Sequence, residues 1–365
     1  MRIAIHADPA AHSIPGGVGV YVRRLTDALL AGPRGHEIRP IVSRFADPPA
    51  SWSGRSLIRP QLPFAPLYAA WNFAGLPGLG EQVDVVHATG LAVPPPAAAR
   101  LVSTVHDLAV ETMPEVVPFP WRQIYRRGLS RCLKGSEVIL AVSEATKQQI
   151  VEMHGVEPER IAVTPEAPNV TPDSPTNDAV LDRLGLDGPF VLNVGTVEPR
   201  KNQVRLVNAF ATAGPELGDH KLVLAGVAGW GQEKVEAAID ALRIGHRVVL
   251  TGRVSNLDLA SLYRRASVFA LPSLYEGFGI PLAEAMAFGI PSVCSTTPAL
   301  TELAGPAALA VDPSDIDGLA EALVRLATDS NVRERLGAAA RKRATGYSWE
   351  STARLTLDAY ERAAG

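Results

Sequence analysis

The stretch "SVFALPSLYEGFGIPLAEAMAFGIPSVCS", residues 267–295, decides how the rest of this chain is read. It opens on a continuous apolar run, "SVFALPS", and closes on another, "PSVCS". Uninterrupted apolar runs of that length are expected of parallel strands covered on both faces. Between them lies a helix-forming segment, "LAEAMAF", stopped by Gly289 and Pro291. Pro281 suits the first helical position, where its missing donor costs nothing. Ahead of it, Gly277 and Gly279 admit backbone shapes closed to other residues. The stretch therefore predicts strand, bare loop, helix, strand.

The same alternation runs through the whole chain. Strand-length runs occur at 2–7, 84–88, 101–107, 137–143 and 160–165, and a second series at 190–196, 221–227, 247–252, 267–273, 291–295 and 308–313. Helix-period stretches lie between them, such as Val18, Val22, Leu25, Leu29 and Leu319, Leu323, Leu326. Two successive series predict two doubly wound α/β domains, and 365 residues are too many for one ordinary core. The joint is expected within 166–189, a stretch dense in Pro, Asn, Asp and Ser. The domains are set at 1–172 and 173–345, with a terminal helix over 346–365 capped by Ser348.

Composition narrows the function. A charged fraction of 20% and a net charge of −3 describe a soluble globular chain with no basic field to draw it onto nucleic acid. The two cysteines, Cys132 and Cys294, lie far apart, fit a reducing compartment and form no metal-ligand spacing. The N-terminus lacks the apolar run of a signal peptide, and no run reaches the roughly 18 apolar residues of a spanning helix. The expected location is the cytoplasm, with contact to the inner face of a membrane left open.

In open parallel sheets ligands bind beyond the carboxyl ends of the strands, at helix N-termini. The 276–280 loop supplies free amides and a positive dipole end there, an anion site in form. Glu284, about one turn into the helix, can accept two hydrogen bonds from a vicinal diol such as a ribose. Glu276, on the other flank, can accept from a second polyhydroxyl group. Two acids around an anion cradle suit a sugar at either end of a phosphate, a nucleotide sugar. The residues alone equally allow two ordinary exposed acids.

Other strand ends add to the picture. "VEPRKNQVRLVNAF" (197–210) sets Arg200 and Lys201 before a helix that Asn202 is placed to cap. Two cations there oppose the helix dipole, unless an anion is shared between them. Gly16, Gly17 and Gly19 precede a helix after the first strand, without a Walker A or a full Gly-x-Gly-x-x-Gly pattern. His87 and His106 close two strands and are read either as packed core histidines or as groups facing a cleft. Ser255 and Asp258 resemble a capping box, with Val254 just before them. Arg122, Arg126, Arg127, Arg131 and Lys134 give one helix a basic side, open to a solvated, a lipid-facing or an anion-accepting reading.

Together these residues carry a resemblance. The Glu-x7-Glu pair in "EGFGIPLAE" (276–284), with "GTVEPRKN" (195–202), "PGGVGVYVRRL" (15–25), "TVHDL" (104–108), "VSEATK" (142–147) and "YSWESTA" (347–353), resembles the retaining GT-B glycosyltransferases of the glycosyltransferase 4 family over nearly the whole length. The resemblance implies two Rossmann-like domains facing each other across a cleft. It implies that Glu276 contacts the donor sugar, Glu284 the ribose, and the amides of Gly279, Ile280 and Leu282 the phosphate and sugar. Lys201 and Arg200 would neutralise the departing diphosphate, Gly16 and Gly17 approach the phosphates, His106 lie beside the transferred sugar, the Val254 region hold the base, and the last helix, 346–365, cross back to the N-terminal domain.

The chain departs from many relatives by having Thr196 where arginine is usual, which makes Arg200 the substitute, and "PEAP" (165–168) where Asn-Gly is usual, where no role is assigned. The "GT-EPRKN" variant resembles mannosyltransferases that use GDP-mannose. The implied activity is retaining, metal-independent transfer of a hexose to a hydroxyl acceptor in cell-wall, lipid-linked or exopolysaccharide glycan synthesis; loops 45–80 and 108–125, which would bind the acceptor, carry no readable code. A nucleotide-sugar epimerase and a non-catalytic sugar-nucleotide-binding module are the alternatives.

Overall fold

The computed structural model describes residues 1–12, 16–32 and 35–365. They form two compact units, Met1–Glu166 with Ser348–Gly365, and Ala167–Tyr347. The division thus falls ahead of residue 172. The reason lies in the hydrogen bonds: the amides of Asn169 and Val170 donate to Glu284 of the second unit.

The first unit holds a parallel sheet of β1 (Arg2–His6), β2 (Glu37–Ile41), β3 (Val85–Ala88), β4 (Arg100–Val105), β5 (Val138–Ala141) and β6 (Ile161–Val163), in the order β2-β1-β3-β4-β5-β6. The second holds β7 (Phe190–Val194), β8 (Lys221–Ala225), β9 (Val248–Gly252), β10 (Val268–Leu271), β11 (Ser292–Ser295) and β12 (Ala308–Val311), in the order β12-β11-β10-β7-β8-β9. Every predicted run is a strand. β2 was not expected, because "EIRPI" mixes charge with Pro40. Its place explains it: as an edge strand it pairs within the sheet with β1 alone and can carry a proline.

Continuous apolar strands are buried as expected for parallel sheets. In β3, β5, β10 and β11 every residue is buried. Helices cover them. Leu206, Val207 and Phe210 from the helix Gln203–Ala213 join Leu319, Leu323 and Leu326 from Ile316–Thr328 in the second core.

The terminal helix Trp349–Ala364 belongs to the first unit, and Ser348 caps it by accepting from the Ser351 amide. Tyr360 on this helix places its hydroxyl 2.6 Å from Nδ1 of His87, and Nε2 of His87 lies 2.8 Å from the Thr104 hydroxyl. Thr352 donates to the Pro165 carbonyl at 2.6 Å.

In the second unit the order of strands places β7 beside β10, with later strands on either side. This is the topological switch point, where loops leaving adjacent strands diverge and a ligand crevice forms. The two loops concerned carry Arg200 and Lys201 after β7, and Glu276 after β10.

Candidate functional site

After β7 the backbone turns at Gly195 (φ 151°) and enters a short 3-10 turn, Pro199–Lys201. The Lys201 stem lies over Gly195, where an added Cβ would sit 3.4 Å from Cε. After β10, Ser273 and Glu276 face this turn. Lys201 Nζ donates to Glu276 Oε1 at 2.6 Å, and the Ser273 hydroxyl donates to the same oxygen at 2.7 Å. Arg200 Nη1 donates to Glu276 Oε2 at 3.1 Å and to the Tyr275 carbonyl at 3.2 Å. Its Nη2 also lies 2.8 Å from Glu198. The Leu274 amide donates to the Arg200 carbonyl at 2.8 Å, which ties the two loops through backbone as well.

Lys201, Glu276 and Glu198 are all buried, so these charges depend on one another. Burial would raise the Glu276 carboxyl, but the Lys201 and Arg200 charges outweigh it and bring it to about 2. Burial lowers the Lys201 ammonium and Arg200 adds repulsion, against the pull of Glu276 and Glu198. Glu276 and Glu284 are not exposed acids, which removes that alternative: Glu284 is 3% exposed.

The helix after the loop is Ile280–Phe288, with Gly279 as its N-cap. Gly279 has φ 107°, and an added Cβ would lie 2.5 Å from Leu300 Cδ2, so both backbone shape and packing require glycine there. Pro281 is the second helical residue, one place later than expected, because Ile280 already has helical geometry. The Leu282 amide donates to the Gly279 carbonyl at 2.9 Å, so of the three predicted amides it is already used within the turn. Gly279 and Ile280 stand at positions whose N–H groups have no intrahelical acceptor.

Glu284 Oε1 accepts from the amides of Asn169 and Val170 at 3.2 and 3.3 Å, and Oε2 accepts from the Tyr263 hydroxyl at 2.7 Å. A carboxylate offers about four acceptor directions, and these bonds direct the side chain back along its own unit. Val254 is half-buried after β9, and the expected capping box is present: Ser255 accepts from the Asp258 amide while Asp258 accepts from that of Ser255.

Asn202 corrects an expectation. It precedes the helix Gln203–Ala213 in a left-handed conformation, yet its side chain makes no cap. Its Nδ2 instead donates to the carbonyls of Pro272 and Pro313 at 2.9 and 2.7 Å, tying the loops beyond β10 and β12.

The remaining predicted residues, His106, Gly16 and Gly17, lie in the first unit. Gly16 caps the helix Gly17–Ala31, both glycines are exposed, and nothing lies within 4 Å of a Cβ built on either. Pro15, in the quoted "PGGVGVYVRRL", lies outside the described residues. His106 Nδ1 is 2.9 Å from Glu166 and Nε2 is 2.9 Å from the Thr89 carbonyl. A carbonyl can only accept, so Nε2 carries a proton. Burial opposes a charge here, but Glu166 and Thr89 outweigh it and raise the ring above its ordinary value. In its charged form His106 is a double donor with no acceptor nitrogen to offer.

Ser273, Glu198, Tyr263 and Glu166 escaped the sequence reading. Glu198 stands two residues from Arg200, and Glu166 follows a strand end, so the rule that drew attention to Lys201 applied to both. Among the described residues no three or more His, Cys, Asp or Glu side chains are grouped to hold a metal ion, and no helix is long and apolar enough to cross a membrane.

Residues 182–343 match the family model "Glycosyl transferases group 1", and residues 15–169 match "Glycosyltransferase Family 4". The chain is 32% identical over 267 residues to "O-antigen chain mannosyltransferase B" of Escherichia coli, covering 72% of this chain and 70% of that protein. It is 29% identical to "MMP alpha-(1->4)-mannosyltransferase" of Mycolicibacterium hassiacum, covering 95% of each. Among solved structures, sucrose-phosphate synthase from Thermosynechococcus elongatus superposes with a TM-score of 0.76 at 21% identity, over 99% of this chain and 98% of that one. With two Rossmann-like units and both family models matched in succession, this chain belongs to the GT-B glycosyltransferases of family 4.

Proposed function

We propose that this glycosyltransferase moves a hexose, with mannose from GDP-mannose as first candidate, from a nucleoside diphosphate to a hydroxyl acceptor in glycan or lipid-linked glycan synthesis, with retention and without a metal. The observation that carries the reading is the cluster of buried Lys201 and Glu276 with half-buried Arg200 at the switch point of the second sheet. Mannose is favoured by the names of the two relatives above.

Breaking the bond from the anomeric carbon to the diphosphate places developing charge on the leaving oxygen, and stabilising that charge is the largest available contribution. Lys201, Arg200 and the helix starting at Ile280 supply it. Glu276, held by three donors, suits orienting a sugar hydroxyl better than attacking carbon. Glu284 would take the ribose. The acceptor hydroxyl attacks from the face the diphosphate leaves, and its proton passes to the leaving phosphate oxygen. An epimerase or a non-catalytic module is not favoured by the family relatives.

The test is a panel of nucleotide sugars with purified protein, scored for hydrolysis and thermal stabilisation. GDP-mannose should give the largest response; a response confined to another base or sugar reassigns the donor. Lys201→Ala should lower kcat by about a hundredfold or more while donor binding weakens less. Equal small losses in both would take leaving-group stabilisation away from Lys201.

The acceptor side is read as touching an anionic membrane. In the first unit Phe64, Phe73, Leu76 and Phe119 are 41%, 58%, 63% and 77% exposed. They belong to or flank the packed helices Phe64–Ala74 and Trp121–Gly135, where Phe64 stacks on Trp121 and Arg126 and Arg127 are exposed. Cosedimentation with anionic vesicles but not neutral ones is expected; no binding to either would end this reading.

A further inference from the structure

The charges around Lys201 support an inference that rests on the transferase reading but concerns how the lysine is kept ready. Four charged groups face one another here: Lys201 and Arg200 against Glu276 and Glu198. They balance before any diphosphate arrives. Of these, Glu276 alone reaches both cations, one through each oxygen, and Ser273 fixes it from a third side. Lys201 is 8% exposed, with its stem laid over Gly195. A buried ammonium without a counter-charge gives up its proton.

We propose that Glu276 is a positioning residue for Lys201, holding the ammonium charged and aimed ahead of donor binding, so that a diphosphate meets a cation that needs no proton uptake. Without the carboxylate, Glu198 would remain as the weaker of the two acids acting on Lys201, and its side chain contacts Arg200. Burial and the neighbouring guanidinium would then act on Lys201 against Glu198 alone of the two acids that now oppose them. Diphosphate binding would become coupled to protonation and weaken as pH rises.

The experiment measures binding of GDP and of UDP by calorimetry between about pH 7.5 and about pH 8.8, on the alkaline side where a lysine lowered from its ordinary value loses its proton. Wild type and Glu276→Gln are compared at each pH, so that titration of the ligand cancels. Across this range Glu276→Gln should lose about tenfold more affinity than wild type. Adding Lys201→Arg to Glu276→Gln should flatten the profile again, since a guanidinium stays protonated. A merely structural role would not give a pH-dependent loss that arginine removes.

A Glu276→Gln profile parallel to wild type overturns the proposal, as does a double variant that keeps the pH-dependent loss. Should Glu276→Gln not fold, Ser273→Ala carries the test, since it loosens the carboxylate without removing it. A smaller loss of the same sign is expected, and a profile parallel to wild type overturns the role. Failure of wild type to bind either diphosphate at any pH would overturn the donor reading on which the proposal rests. Binding with parallel profiles removes the role of Glu276 alone.

Discussion

The two units are built on similar parallel sheets but bury their titratable groups in opposite ways. The first buries histidines as neutral rings. Burial pushes both His6 and His87 down to about 3, with small contributions from neighbouring histidines. His87 is bonded on both nitrogens between Tyr360 and Thr104, while neither nitrogen of His6 has a hydrogen-bond partner among the described residues, its ring meeting Tyr68 and Trp71 edge to face. The second unit buries charges and balances them, Lys201 and the half-buried Arg200 against Glu276 and Glu198. A neutral buried ring holds elements together; a balanced charge cluster at strand ends is held ready for a charged ligand. His106, paired with Glu166, is the first unit's exception.

Acid should separate the units most strongly. A histidine lowered on folding contributes stability above its unfolded value near 6.5, and that contribution is lost as pH falls toward 3. Each such ring then costs about 1.4 kcal/mol per pH unit. In the second unit the lowered Glu276 contributes stability that is lost only between 4.5 and about 2. The first unit should therefore unfold at the higher pH. Tryptophan emission reports it, because Trp52, Trp71, Trp121 and Trp349 lie there and Trp230 alone lies in the second unit. His106 does not compensate: raised on folding, it contributes stability below 6.5 that is lost as pH rises through its folded value. Simultaneous loss of both units near pH 3 would break the contrast.

Next in size is Glu276→Ala. Leaving Lys201 buried without its carboxylate should destabilise the second unit by about 3–5 kcal/mol, read by denaturant unfolding. A cost under about 1 kcal/mol would mean that Arg200 and Lys201 find water instead.

The smallest effect sharpens the site itself. Glu284→Ala should weaken nucleoside-diphosphate binding by about 2 kcal/mol if two charge-assisted hydrogen bonds to ribose are partly lost. The same affinity in calorimetry would leave Glu284 as an anchor for Asn169, Val170 and Tyr263 only.

Much of this was legible because parallel strands buried on both faces must be apolar throughout. β2 was hidden because an edge strand is released from that rule. Lys201 and Arg200 stood out by charge at a helix start. Asn202 was misread as a cap because capping is a local rule, whereas its actual acceptors, Pro272 and Pro313, come from distant loops. Glu166 was passed over although its partner His106 had been singled out, since sequence spacing does not show that β4 and the segment after β6 end side by side.

By itself the sequence determined the alternation of strands and helices, the glycine at 279 and the charges beyond the strand ends, because periodicity, backbone freedom and side-chain chemistry are local properties. Tertiary structure decided which ends are neighbours. Placing β7 beside β10 brings Lys201 to Glu276, and only that approach in a buried setting makes each charge depend on the other.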